Sequence, residues 1–289
     1  MRFASFEWKG KKLWGIVDAE NQLVCPAERL FEGAYPSTLL EFLAISHGDL
    51  SKIKIPEDKG SWIKFQEVKF FAPFPKPVRN VFCVGRNYQD HVRELSKKDL
   101  EIKHPQFFTK ATTAVTGPYD DVYIHPEVTS QVDYEAELAV VIGKPGRNIP
   151  EDRVYEYIFG YTIINDLTAR DLQKNHEQWF KGKSLDSFCP MGPWIVTKDE
   201  IGWPVELDIK SFVNGELRQN SNTKHMIFSI SKLISILSQG MTLLPGDVIA
   251  TGTPAGVGAG FTPPKFLKSG DVVRIEIEKI GFIENKMVG

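Results

Sequence analysis

Apolar positions along this chain recur mostly at two-residue spacing or in short unbroken runs, which is a β pattern. Phe3–Trp8 and Lys12–Val17 read as strands, and Asp18-Ala19-Glu20-Asn21 as the turn before Gln22-Leu23-Val24. Thr38–Ala44 has helical spacing, whereas Ser51–Gly60 is polar and loop-like. Further on, Val81–Val84 is a short buried run. A strand opens near Glu135 and ends in the unbroken apolar stretch Ala139–Ile142. Glu151–Tyr157 suits one or two helical turns, Tyr161–Asn165 a strand with a polar end, and Thr168–Gln173 the start of a helix. Leu207–Val213 and Glu216–Arg218 flank Asn214-Gly215, a strong hairpin signal. Ile230, Leu233, Ile234 and Leu237 line one face of a helix over Ser229–Leu237, and Val248–Ala250 and Val272–Ile277 each follow a Gly-Asp turn. Strands dominate, helices are short, and the regular βαβ alternation of a doubly wound fold is missing. The expected class is α+β, rich in β.

Pro73, Pro75 and Pro77 sit at alternate positions, a spacing that stiffens and extends the chain. It divides the sequence into a small leading α/β domain, 1–72, and a larger domain, 73–289. The 289 residues are 42% hydrophobic and 25% charged, with a net charge of −2. That balance offers no basic field for nucleic acid or an anionic membrane. No apolar run reaches membrane-span length, and the first residues lack a signal-peptide core, so a cytoplasmic location is expected. Three scattered cysteines, Cys25, Cys83 and Cys189, suggest reduced thiols that serve packing.

The chemistry concentrates in Asp133-Tyr134-Glu135-Ala136-Glu137. Read as one strand from Asp133, the odd positions carry Asp133, Glu135 and Glu137, while the even ones are apolar. Residues i and i+2 share a strand face about 7 Å apart, and carboxylates held together in a core repel one another. Asp166 ends the strand over Tyr161–Asn165 and adds a third carboxylate from a second strand. Three carboxylates suit a hard cation such as Mg²⁺ or Mn²⁺ with coordination sites left for water and substrate. No histidine or thiol pair has zinc spacing. A solvated edge strand and a helix-capping Asp are the plain alternatives.

Three other segments carry candidate chemistry. After Val81–Val84 comes Gly85-Arg86-Asn87-Tyr88-Gln89-Asp90-His91-Val92-Arg93-Glu94, in which a helix would make His91 and Glu94 neighbours. A carboxylate beside an imidazole orients it as a general base; a surface ion pair is the alternative. Lys181 and Lys183 follow Trp179-Phe180, and a lysine at a metal site would face a substrate carboxylate or an enolate. Thr251–Gly258 is a glycine-rich turn after a strand. It lacks the Gly-Lys-Ser/Thr ending of a phosphate loop, so it is read as presenting a threonine hydroxyl and backbone amides to a carboxylate.

Gly85–Glu94, Asp133–Lys144, Gly160–Gln173, Lys181–Pro193 and Leu243–Gly258, in this order, resemble the fumarylacetoacetate hydrolase family. The resemblance implies a catalytic domain of rolled mixed β-sheets, a partly open barrel, in a homodimer. It implies Mg²⁺ or Mn²⁺ on Glu135, Glu137 and Asp166. It gives water activation or proton transfer to His91 and Glu94 on a segment able to act as a lid, and negative-charge stabilisation to Lys183. Arg86, Arg170, Gln173 and Thr253 are expected around the substrate. Fumarylacetoacetases have a fourth carboxylate ligand upstream of the histidine. Here that region is Phe82-Cys83-Val84, so the pattern is closer to the smaller members that act on acylpyruvates, oxaloacetate and related diacids. The substrate expected is a 2-oxo or 2,4-diketo acid. Hydrolytic C–C cleavage is the leading expectation, with oxaloacetate decarboxylation and tautomerisation or isomerisation on the same scaffold as alternatives. A non-catalytic protein holding a structural ion is the rival from another class. A nucleotide-binding module at Thr251–Gly258 is more distant.

Overall fold

The computed structural model describes residues 1–289. One open twelve-stranded sheet carries most of the chain, and a five-stranded sheet packs beside it. The main-sheet strands used below are β1 (Arg2–Trp8), β2 (Lys11–Asp18), β3 (Leu23–Pro26), β4 (Val81–Gly85), β5 (Gln106–Lys110), β6 (Ala136–Ile142), β7 (Ile158–Asn165), β8 (Cys189–Thr197) and β9 (Val248–Ala250). In space they run β3-β2-β1-β8-β7-β6-β9-β4-β5. No pairing joins the two ends of this order, so the sheet is not closed into a barrel. Asp208–Val213, Glu216–Asn222, Val272–Ile277 and Gly281–Val288 form most of the second sheet.

The apolar run at the end of β6 follows from its place in the middle of this sheet. Leu138, Val140 and Ile142 enter one core, and Ala139 and Val141 enter another on the opposite face. A strand covered on both faces reads as continuously hydrophobic rather than alternating. Burying each large aliphatic side chain contributes about 1.5–3 kcal/mol. One core includes Ile209, Val273, Ile275 and Ile283 of the second sheet, where burial alternates along each strand. It also takes Ile230, Leu233, Ile234 and Leu237 from a helix over Ile230–Leu237, which matches the helical spacing read there. The other core joins Phe3, Trp14 and Ile16 to Leu39, Phe42 and Leu43 of the helix Leu39–Ser46. Thr38 caps that helix by accepting from Glu41 N–H.

Residues 1–72 contribute strands to the same main sheet as the rest of the chain. In β1, Arg2 pairs with Val196 and Phe3 with Ile195 of β8. Strand β8 has no obvious strand pattern, because Pro190, Gly192 and Pro193 interrupt it. All nine of its residues are nevertheless buried. The ladder to β7 shifts register between Tyr161 and Ile163, where β8 carries the Gly192–Ile195 stretch. A bulge is where a sheet accepts a proline. Two boundaries also differ from the pattern. Thr168–Ala169 is a short strand, and the helix starts only at Arg170. Glu216–Arg218 extends as a strand to Asn222.

Gly160 of β7 lies against β8 so closely that an added Cβ would fall 2.1 Å from the Val196 carbonyl oxygen. Backbone on the receiving side cannot rotate away. Gly160→Ala is expected to cost about 1–3 kcal/mol or more through overpacking, whereas Gly202→Ala, with open space around it, stays within about 0.5 kcal/mol. Urea unfolding midpoints of the two variants check this contrast.

Candidate active site

The site begins where β6 starts beside the end of β7. Ala136 pairs with Asn165, and Glu137 with Ile164. The strand read from Asp133 is in fact interrupted. Val132–Asp133 pairs separately with Thr168–Ala169, and β6 begins only at Ala136. Glu135 lies in the gap, held by its N–H to Asn165 Oδ1 at 3.1 Å and by Asp166 N–H to its carbonyl at 2.9 Å. The result still brings Glu135, Glu137 and Asp166 together. One carboxylate oxygen from each lies within 4.8 Å of the others, and all three residues are buried. The break separates Asp133 from this group and gives it another task.

Much of the repulsion is met by the chain's own cations. Lys183 Nζ donates to Glu135 Oε2 at 2.7 Å and to Asp166 Oδ2 at 2.6 Å. Lys110 Nζ donates to Asp166 Oδ1 at 2.6 Å. Arg170 Nη2 lies 2.7 Å from Glu135 Oε1, and its Nε donates to Asp133 Oδ2 at 2.9 Å. Asp133, Glu135, Glu137 and Asp166 thus face Lys110, Arg170 and Lys183. Formally this leaves one negative charge in excess, so a divalent cation is not the sole compensating charge expected from the sequence.

The excess falls on Glu137. Burial, reinforced by the charges of Asp166 and Glu135, pushes its pKa well above the usual carboxylate range. Its Oε2 takes a hydrogen bond from Gly252 N–H at 2.8 Å. Burial also opposes the charge on Glu135, but Lys183 and Arg170 outweigh it and hold that carboxyl low. For Lys183, burial favours the neutral amine, yet Asp166 and Glu135 win and keep it a cation.

The glycine-rich loop directs its amides to the protein's own carboxylates. Gly252 N–H serves Glu137, Gly256 N–H serves Glu94 at 2.9 Å, and Gly258 and Ala259 N–H serve Asp133 at 2.6 and 3.0 Å. Presentation of these amides to a bound carboxylate is therefore not what the loop does. Thr253 Oγ1 likewise donates to Ala136 O at 2.9 Å and accepts from Gln219 Nε2 at 2.7 Å. Gly256 is needed in this loop because its φ is +107°, a conformation that L side chains avoid.

A helix over Gln89–Ser96 places His91 and Glu94 on one face, with Nδ1 3.4 Å from Glu94 Oε2. His91 is buried, so the pair is not a surface ion pair. A cavity of about 270 Å³ opens between this helix, the carboxylates and Trp179. Its wall brings together Arg86, His91, Glu135, Glu137, Arg170, Gln173, Lys183 and Thr253. Glu94 and Asp166 stand behind it, each touching a residue that lines it. Lys181 is exposed. Gln173 Oε1 accepts from Arg170 Nη1 at 3.2 Å, which leaves its amide N–H groups for another partner.

Lys110, the role of Asp133 as an anchor for Arg170, and the orienting amide of Asn165 were not apparent from the pattern. A lysine ending a strand ordinarily reads as solvent-exposed, and nothing local to Gln106–Lys110 marks it as buried. The donor set fits a hard divalent cation. It is all oxygen, it gathers where two buried, adjacent strands begin and end, and Glu137 has no cationic partner within 4 Å. Glu135, Glu137 and Asp166 are the residues that would hold such an ion.

The family model described as "Fumarylacetoacetate (FAA) hydrolase C-terminal" matches residues 80–288. A Bacillus subtilis (strain 168) protein named oxaloacetate tautomerase YisK is 49% identical, over 99% of this chain and 100% of that protein. The solved structure titled fumarylacetoacetate hydrolase (EaFAH) from Exiguobacterium antarcticum superposes with a TM-score of 0.87 at 41% identity, covering 100% of this chain and 99% of that one. The structure titled 2-hydroxyhepta-2,4-diene-1,7-dioate isomerase from Mycobacterium marinum has a TM-score of 0.76 at 33% identity, covering 100% and 98%. Matched over most of its length by the family model and over nearly all of it by these relatives, the chain belongs to the fumarylacetoacetate hydrolase family.

Proposed function

We propose that this chain is a divalent-metal-dependent enzyme that interconverts the keto and enol forms of an oxaloacetate-type 2-oxo dicarboxylate. The observation that carries the reading is the convergence of His91, with Glu94 beside it, and a buried lysine on the cavity that Glu135 and Glu137 of the acidic triad line. A structural ion alone would need neither the cavity nor these two groups. The full-length relative named oxaloacetate tautomerase supports the choice of reaction. The ion is Mg²⁺ or Mn²⁺, and when bound it supplies Lewis-acid polarisation of the keto oxygen. The assembly is a homodimer, as the family resemblance implies, with residues 1–72 as a small N-terminal domain.

The chain's own residues supply the rest. Arg170 and Gln173 line the cavity with N–H groups beyond those used within the protein, and these bind the substrate carboxylate. Arg86, on the same wall with its guanidinium 5.9 Å from the Trp179 ring centroid, binds the distal carboxylate. Thr253 borders the substrate through its packing. His91 has Nδ1 turned to Glu94, so Nε2 is the atom left to remove a proton from the carbon beside the keto group. The charge that develops on the keto oxygen is met by Lys183, which uses two of its three N–H donors on Glu135 and Asp166 and keeps one. Delivery of the proton to that oxygen completes the enol.

A second reading is C–C bond hydrolysis of a 2,4-diketo acid, with His91 activating water. The His91–Glu94 pair serves either reaction, and the structure titled fumarylacetoacetate hydrolase superposes over the whole chain. Loss of the distal carboxylate from oxaloacetate would draw on the same enolate stabilisation without an attacking water.

Glu137→Gln is expected to weaken Mn²⁺ binding by more than the about 10–100-fold that loss of an outer partner costs, and to abolish turnover with it. Calorimetric titration beside an ultraviolet assay of the oxaloacetate enol checks both; unchanged affinity removes Glu137 from the ligand set. His91→Ala is expected to lower kcat for tautomerisation by about 10²–10⁴-fold with Mn²⁺ affinity preserved. The same assay on an acylpyruvate separates the two readings. Cleavage faster than oxaloacetate tautomerisation would favour the hydrolase.

A further inference from the structure

Lys110 is fully buried, at 0% exposure, and it lies outside the cavity wall. Removing an ammonium group from water costs several kcal/mol unless it is paired and hydrogen-bonded. Here the cost is offset by two bonds in one direction. Nζ donates to Asp166 Oδ1 at 2.6 Å and to the Leu167 carbonyl at 2.9 Å. These grip both the side chain of Asp166 and the backbone just beyond it, where the chain leaves β7. The strand that brings Lys110 there is itself fixed. β5 pairs with β4 up to Lys110 opposite Val81, and Ala111 N–H donates to Ser184 Oγ at 3.0 Å.

The two lysines at Asp166 are therefore not equivalent. Lys183 holds Oδ2, bridges to Glu135 and faces the cavity. Lys110 holds Oδ1 and is sealed behind it. Without Lys110 the Asp166 carboxylate could rotate about its χ2 torsion, which is intrinsically soft.

We propose that Lys110 is a positioning residue for the divalent-cation site, locking Asp166 from behind so that Oδ2 stays turned toward Lys183 and Glu135. This rests on the reading of Glu135, Glu137 and Asp166 as ligands of Mg²⁺ or Mn²⁺. Two physical effects predict opposite signs. As a mere like charge near the ion, Lys110 would repel it, and its removal would tighten binding. As a lock on a ligand, its removal weakens binding, by about 10–100-fold for an outer partner of this kind.

The experiment is calorimetric titration of Mn²⁺ into the full chain, with metal-free melting temperatures measured in parallel, for wild type, K110M and K110Q. Gln keeps an N–H donor without the charge, and Met keeps neither. The inference expects K110M to lose Mn²⁺ affinity by about 10–100-fold and K110Q to lose measurably less. Unchanged or tighter binding in K110M overturns it, as does an equal loss in the two variants. Should K110M not fold, K110Q decides alone: weaker binding supports the lock, and unchanged or tighter binding overturns it. Failure of the wild type to bind Mn²⁺ is a different result, which overturns the ligand reading itself and this inference with it.

Discussion

The structure around the site is governed by the repulsion of carboxylates placed together in a dry interior. Asp133, Glu135, Glu137 and Asp166 are all buried around the point where β6 begins beside the end of β7. Charges at that spacing in low dielectric cannot coexist without opposite charge and hydrogen bonds. Lys110, Arg170 and Lys183 provide most of that charge, and the amides of Gly252, Gly258 and Ala259 provide the bonds. The arrangement is close to neutral, but the balance is not complete. Glu137 is left without a cation, and its ionisation is disfavoured accordingly. The unbalanced carboxylate sits on the cavity wall, where an arriving cation would complete the set.

The fold makes this possible by burying the carrying sheet on both faces. With apolar layers above and below β6 and β7, the polar side chains at the ends of these strands stay in the interior, where they meet one another and their buried partners. The glycine-rich loop after β9 then closes over the same point and ties several pieces together. Through Gly252 it touches Glu137, through Gly256 the helix that bears His91, and through Gly258 the Asp133 that holds Arg170. One loop thus links the acidic triad, the His91–Glu94 pair and Arg170 on the cavity wall. An arrangement of this kind fixes the relative placement of groups that act on one bound molecule, which is where catalytic precision comes from.

Much of this was legible in the sequence. The triad was visible as acidic residues joined to strands that run straight into the core, and the His91–Glu94 pair as an i, i+3 spacing after a buried run. Their meeting is a consequence of β6 lying beside β7, an adjacency that short chain separation favours. Other features were hidden for identifiable reasons. Strand β8 was obscured by Pro190 and Pro193, and the ladder to its partner shifts register where Pro193 lies. The break at Tyr134–Glu135 could not be read from alternation, since a backbone N–H bonded to the Asn165 side chain on the next strand leaves no local trace. Lys110 was invisible because its partners, Asp166 and Leu167, lie more than fifty residues away. Local pattern reports which residues seek the interior. It does not report which buried charges will be paired across the sheet.

The proposed chemistry requires a divalent cation among Glu135, Glu137 and Asp166. Anomalous diffraction from crystals of the full chain grown with Mn²⁺ addresses this directly. The predicted result is a single strong anomalous peak within bonding distance of one oxygen from each of the three carboxylates. A peak at another site, or none there while Lys110, Arg170 and Lys183 remain closed on the carboxylates, would contradict it.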